Sequence, residues 1–370
     1  MTTTGRQLVS TLTADGKLVL ELQEKDFPAP AGNQVLVKME AAPINPSDLI
    51  LMTTGVDLDN AEYSPGKVVA NVAPPMVAAQ AGRHGKPQTV GNEGAGTVIA
   101  AGAGEMAQAL VGQRVACVPG NAYSEYALAD AMMCIPLGEH SCEQGASSFV
   151  NPMTALGFVE TAKREGNEAI IHAAAASNLG QMLNRICQED GLGLVNIVRK
   201  DSQAELLKGQ GASHVVNSSD KDFEQQLVQA IAETQAFLGF DPIGGGTTTD
   251  SCLRSMERVA AAKLTEYSRY GSDQPKKMYI YGRLDLSPTI LTPSYGFGWT
   301  VTGWLLMPFL ASCDMPTLIG MRQRVVSGLT TTFASSYKAK VGLEEMLTRD
   351  AMMDYAQMAT GEKYLVTPNA

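Results

Sequence analysis

The stretch GNEAIIHAAAASNLG, residues 166–180, continues as QMLNRICQEDGLGLVNIVRKD, residues 181–201, and its reading decides the fold. The short apolar run 169–172 predicts a buried strand, and 173–180 a turn free of bulky side chains. Residues 181–189 then carry Met182, Leu183 and Ile186 at helical spacing. A strand at 194–199 closes the unit. Small residues in such a turn let a pyrophosphate reach the backbone N–H groups and the positive end of the helix. Arg199 and Lys200 stand at the second strand end, where an Asp or Glu would accept hydrogen bonds from the adenosine ribose. An Arg fork suits a 2′-phosphate instead. The stretch therefore predicts a dinucleotide site for NADP(H) rather than NAD(H). It keeps only the last glycine of Gly-x-Gly-x-x-Gly, Gly180, with Ala175 and Ser177 in the other two places.

Outward from this unit the alternation continues. Strands are expected at 214–217, 236–241 and 278–282, with helices between them. In the helix at 221–234, Phe223, Leu227 and Ile231 share a face. That order implies a doubly wound parallel sheet of the Rossmann kind. The first 150 residues differ. Short β-runs at 18–20, 35–39, 91–101, 112–118 and 123–127 are separated by glycine and proline turns, and 57–88 is an irregular insertion. The tail at 360–368 reads as a strand able to rejoin the first domain.

A length of 370 residues predicts two domains. With 45% hydrophobic and 18% charged residues, the composition is that of a globular protein and excludes disorder. A formal charge of −10 and a pI near 5.0 offer nothing to nucleic acid or an anionic membrane. Cysteines 117, 134, 142, 187, 252 and 313 are scattered, which fits a reducing compartment without a disulfide framework. The first residues lack an apolar signal core, and 297–310 is too short and interrupted to span a bilayer. A cytoplasmic protein with no membrane partner is expected.

Several motifs occur in a fixed order: AAPINPSD at 41–48, VGNEGAG at 90–96, NPMTA at 151–155, 175–180, FDPIGG at 240–245 and TGEKY at 360–364. Together they resemble the zinc-free branch of the medium-chain dehydrogenase/reductase superfamily. Quinone oxidoreductases and mitochondrial-type 2-enoyl thioester reductases are the nearest-looking members. The resemblance implies an α/β fold: a discontinuous GroES-like β domain, 1–150 with 329–370, and a Rossmann domain, 151–328. It implies that Asn45 and Thr154 sit near the nicotinamide and that Ala175, Ser177, Asn178, Leu179 and Gly180 hold the pyrophosphate. It assigns Arg199, helped by Lys200, to the 2′-phosphate. Gly244 and Gly282 would let the cofactor pass close to the strand ends, and Lys363 would close over it. A homodimer is the family habit, with 297–310 as interface or substrate wall.

The departures are equally informative. Zinc-dependent relatives carry a Cys ligand in the first motif and Gly-His-Glu in the second; here Ala42 and Pro43 lie near the Cys position and Asn92 replaces the histidine. No set of three or four ligands is assembled, so no metal site is expected. Enoyl reductases carry a Tyr after Asn-Pro-Ser-Asp. Asp57 stands in that place, and Tyr63 is a substitute if the insertion folds back. The implied function is NADPH-dependent hydride transfer to a small-molecule acceptor, a quinone or conjugated carbonyl. Enoyl thioester reduction is the alternative, and a non-catalytic NADPH-binding protein is the rival of another class. His172, Tyr123 and Tyr126 are expected to be structural, and Asn92-Glu93 a polar pair stitching the two domains.

Overall fold

In the computed structural model, which describes residues 2–361 and 363–369, the chain divides into two units. One comprises 1–150 and 322–370, the other 151–321. The second boundary falls inside the helix Met315–Ser327 rather than after it. Arg322 reaches the Met132 carbonyl, which ties the end of that helix to the first unit.

The second unit is a six-stranded parallel sheet. In the unit's own chain order the strands lie 3-2-1-4-5-6, the doubly wound dinucleotide-binding arrangement. The strands are Ala169–His172, Gly193–Val198, His214–Asn217, Leu238–Asp241, Lys276–Ile280 and Trp299–Gly303. The first five coincide with the expected runs to within two residues. The last lies in a stretch with no strand expectation, because the block 297–310 was read only as an interface or substrate wall. Its register on Lys276–Ile280 runs from Lys276 opposite Trp299 to Ile280 opposite Gly303. Helices Asn178–Asp190, Asp201–Gly209, Phe223–Thr234 and Thr248–Ala261 link the strands. The core on one side gathers Ile171, Val195, Leu227, Ile231, Leu253 and Met278. An aromatic group, Phe158, Phe240, Tyr281 and Trp304, fills another part, with the Phe158 and Phe240 rings stacked at 4.0 Å.

The first unit is built from mainly antiparallel strands in two sheets. Thr3–Leu12 and Lys17–Phe27 pair along their whole length around Gly16, whose φ of +84° makes the turn. Residues 57–88 are not irregular. Lys67–Asn71 adds to Lys17–Phe27, Glu62–Ser64 adds to Lys67–Asn71, and a short helix, Pro74–Ala79, follows. The alternation of Val68 and Ala70, buried, with exposed Asn71 was masked by the surrounding Pro and Gly. The tail strand Tyr364–Val366 pairs antiparallel with Gln34–Pro43 and parallel with Ala339–Val341, so the chain end does return to this unit.

Candidate functional site

The turn after Ala169–His172 is built by close approach. Ala174 takes φ +50°, and the Ala175 N–H donates to the Ile197 carbonyl at 3.0 Å. Ser177 caps the helix Asn178–Asp190, its Oγ accepting from the Gly180 N–H at 3.1 Å. A Cβ on Gly180 would lie 2.2 Å from the Ala175 carbonyl oxygen, so only glycine allows this approach. The helix begins three residues earlier than the apolar spacing suggests, because Ser177 and not Gly180 ends the turn. It closes on Gly191 in the left-handed region. Arg199 and Lys200 are exposed just past Gly193–Val198. Ser219 donates to the Arg199 carbonyl at 2.9 Å, and Gln203 accepts from the Arg199 N–H at 3.1 Å.

Thr154 is buried inside the helix Val150–Arg164, five residues along it. Gly244 and Gly282 explain each other. A Cβ on Gly244 would meet the Gly282 carbonyl at 2.7 Å, and one on Gly282 the Pro242 carbonyl at 2.7 Å. Two loop segments pressed together account for both glycines. His172 is a structural histidine: Nε2 meets the Tyr281 hydroxyl at 2.7 Å, and burial pushes the imidazole down to about 3.

A polar group in the first unit is densely bonded. Asn45 precedes the helix Pro46–Met52. Its N–H donates to Asp48 Oδ2 at 2.9 Å, and its Nδ2 to Glu93 Oε1 at 2.8 Å. Asn45 Oδ1 is buried without a partner. Asp48 Oδ1 accepts from the Asn92 N–H at 2.8 Å, and Glu93 Oε2 from the N–H groups of Phe149 and Val150 at 3.1 and 2.8 Å. Burial raises the Asp48 carboxyl to about 6 against these donors, and raises Glu93 as well. Asn92 donates to Ser47 Oγ at 3.0 Å. Every one of these partners belongs to the first unit.

Lys363 joins the same group. Its Nζ donates to Ser147 Oγ at 2.8 Å, and Tyr337 donates to that oxygen at 3.0 Å. Burial pushes the Lys363 ammonium down to about 8, opposed by the charges of Glu93 and Asp48. Ser147 and Tyr337 carried no signal in the sequence; only the pairing of strands from opposite ends of the chain assembles them. Tyr63 is elsewhere. Its hydroxyl donates to the Leu58 carbonyl at 2.8 Å, and burial raises its pKa. The charges around it are Arg349, Asp59 and Asp57, none of which belongs to the Asn45 group. Tyr123 is fully buried and donates to the Pro43 carbonyl at 3.0 Å; Tyr126 packs on Phe27.

Among the described residues, no three His, Cys, Asp or Glu side chains converge as a metal-ligand set. None of the described helices is long and apolar enough to cross a membrane. Of the block 297–310, Trp304 and Phe309 are core residues, whereas Phe297 and Leu305 are 80% and 68% exposed. Trp304 and Phe309 also line an open pocket of about 330 Å³ with Arg164, Glu165 and Tyr279. That pocket contains none of the candidate cofactor residues.

Residues 31–146 match the family model of the alcohol dehydrogenase GroES-like domain. The chain is 28% identical over 257 residues to the mitochondrial enoyl-[acyl-carrier-protein] reductase of Bos taurus, covering 66% of this chain and 61% of that protein. The human counterpart is 28% identical over 274 residues, covering 68% and 63%. The chain thus spans under two thirds of the length of these curated relatives. Among solved structures, a Mesorhizobium loti protein assigned as an NADPH:quinone reductase superposes with a TM-score of 0.72. It is 27% identical, with 99% of this chain and 98% of that one covered. The Escherichia coli quinone oxidoreductase complexed with NADPH gives a TM-score of 0.70 at 20% identity, covering 99% and 100%, and shares the fold.

Proposed function

We propose that the chain, which is similar to the medium-chain dehydrogenase/reductase superfamily in its GroES-like segment and in its fold, is an NADPH-dependent reductase of quinones or conjugated carbonyl compounds that works without zinc. The observation that carries this reading is the Ser177-capped turn, pressed close at Gly180, whose following strand ends in exposed Arg199 and Lys200. Asn178, Leu179 and Gly180, in the first turn of the helix, would hold the pyrophosphate, with Ala175 and Ser177 shaping the approach. Arg199 and Lys200 would take the 2′-phosphate. Asn45, whose Oδ1 has no hydrogen-bond partner among the described residues, suits the carboxamide of the nicotinamide. When bound, reduced nicotinamide supplies a hydride; the protein supplies binding, orientation and exclusion of water.

Two features support zinc independence. Asn92 stands at the histidine position and its amide is spent on Ser47. Glu93 is already engaged by Asn45 and two backbone N–H groups. A second reading, 2-enoyl thioester reduction, is favoured by the curated relatives named above.

The test is oxidation of NADPH, with NADH alongside, against a panel of quinones, enones and enoyl-CoA thioesters. Turnover with one class assigns the acceptor, with NADPH preferred. Bound NADPH that no acceptor oxidises would instead identify a non-catalytic NADPH-binding protein.

A further inference from the structure

Reduction of a conjugated carbonyl needs a proton as well as a hydride, and the sequence offers no evident acid. We propose that Lys363 is the proton donor to the acceptor, oriented by Ser147 and Tyr337; this rests on the reductase reading above. The strands Ala339–Val341 and Tyr364–Val366 run parallel, with Ala339 opposite Tyr364, and the Lys338 N–H donates to the Lys363 carbonyl at 2.8 Å. That pairing brings Tyr337 and Lys363, each just ahead of its strand, to the same buried hydroxyl of Ser147. Ser147 accepts from both, which fixes the ammonium at one point. Lys363 and Tyr337 are each half-buried as whole residues, whereas Ser147 is fully covered.

The charged and titratable groups around Lys363 divide the roles. Glu93 and Asp48 are buried acceptors already bonded to backbone and to Asn45, and both have raised pKa values. Burial raises Tyr337 well above its ordinary range, so that its hydroxyl keeps its proton. Lys363, lowered to about 8, is the group able to release a proton near neutrality and recover it. Hydride addition from NADPH to the acceptor's β-carbon leaves an enolate. The enolate electron pair then forms the α-carbon C–H bond as the Nζ–H bond breaks. The neutral amine is reprotonated from solvent, so atoms and charge balance over the cycle.

Lys363→Met is expected to lower the enone rate by about 100-fold more than the quinone rate, because a reduced quinone takes its protons from water. In the unaltered enzyme the enone rate should fall as pH rises through about 8, and this limb should vanish in Lys363→Met. Ser147→Ala and Tyr337→Phe should move the limb while keeping it. Independently of turnover, carbon-13 NMR of the lysine Cε in the full chain should show one lysine, absent from Lys363→Met, titrating near 8. A Lys363 midpoint above about 10, the ordinary lysine value, overturns the proposal. So do equal losses of enone and quinone rates with weakened NADPH binding, which would make Lys363 a cofactor ligand. An enzyme that reduces quinones but no enone or enoyl thioester also overturns it, and leaves the reductase reading standing. Failure of every acceptor removes both.

Discussion

Arg199 and Asp48 show how much one side chain can decide. Arg199 stands exposed at a strand end, where a fork of donors meets a phosphate in charge-assisted pairs worth roughly 1.5–3 kcal/mol. Arg199→Ala should therefore weaken NADPH binding by about 10- to 100-fold and leave the weaker NADH binding nearly unchanged, as read by fluorescence titration of both cofactors. Equal losses would make the residue structural. Asp48 is a buried carboxylate raised to about 6. Its unfolded value is about 3.9, so the folded chain holds that proton more tightly. The stability it contributes is complete below about pH 4 and is lost as pH rises through 6. Denaturant titrations of the natural chain and of Asp48→Asn should show their stability difference moving against the natural chain by about 3 kcal/mol between pH 4 and 7.5. A difference independent of pH would place the proton elsewhere.

At the scale of elements, the strand–turn–helix at 169–190 stands on Ser177 and Gly180. Ser177→Ala removes a cap and should cost about 1 kcal/mol in stability. Gly180→Ala drives a methyl to 2.2 Å from the Ala175 carbonyl oxygen. The backbone must open, so we expect a loss of about 3 kcal/mol and markedly weaker NADPH binding, measured by denaturation and by titration. An alanine variant with unchanged stability would mean that the turn relaxes freely. The strand Trp299–Gly303 is a second element with a consequence. It lies at the end of the parallel sheet, with Thr300 and Thr302 exposed along it and Phe297 and Leu305 exposed beside it. A bare edge flanked by large apolar side chains is a pairing surface.

At the scale of the molecule, a homodimer through that edge is the assembly we propose. Thr302→Lys with Leu305→Glu places charge along it and should yield monomers by light scattering while the NADPH titration is retained. A chain that is monomeric before substitution would remove this reading. Each unit has its own core, so bound NADPH should raise the melting temperature. At about 100 times the dissociation constant the gain is about 2.7 kcal/mol.

Much of this was legible in the sequence where the signal is local. The short apolar runs and the 3.6-residue spacing within 169–217 gave strands and helices, because a strand inside a parallel sheet is buried on both faces and a helix on one. The turn at Ser177–Gly180 and the basic pair after Val198 were readable for the same reason: each acts through its immediate neighbours. The motif order pointed to the superfamily. The tertiary structure alone decided the rest. The insertion became sheet because Lys67–Asn71 found Lys17–Phe27 as a partner. Trp304 and Phe309 turned inward because Phe158 and Thr161 wait for them. Tyr337 and Lys363 met because Ala339–Val341 and Tyr364–Val366 pair side by side, and the chain after the helix Cys142–Gly145 brings Ser147 to them. Contacts across hundreds of residues leave no periodicity to read. Local backbone preference and apolar spacing are properties of the sequence, whereas the electrostatic neighbourhood of a buried lysine exists only once the chain has closed on itself.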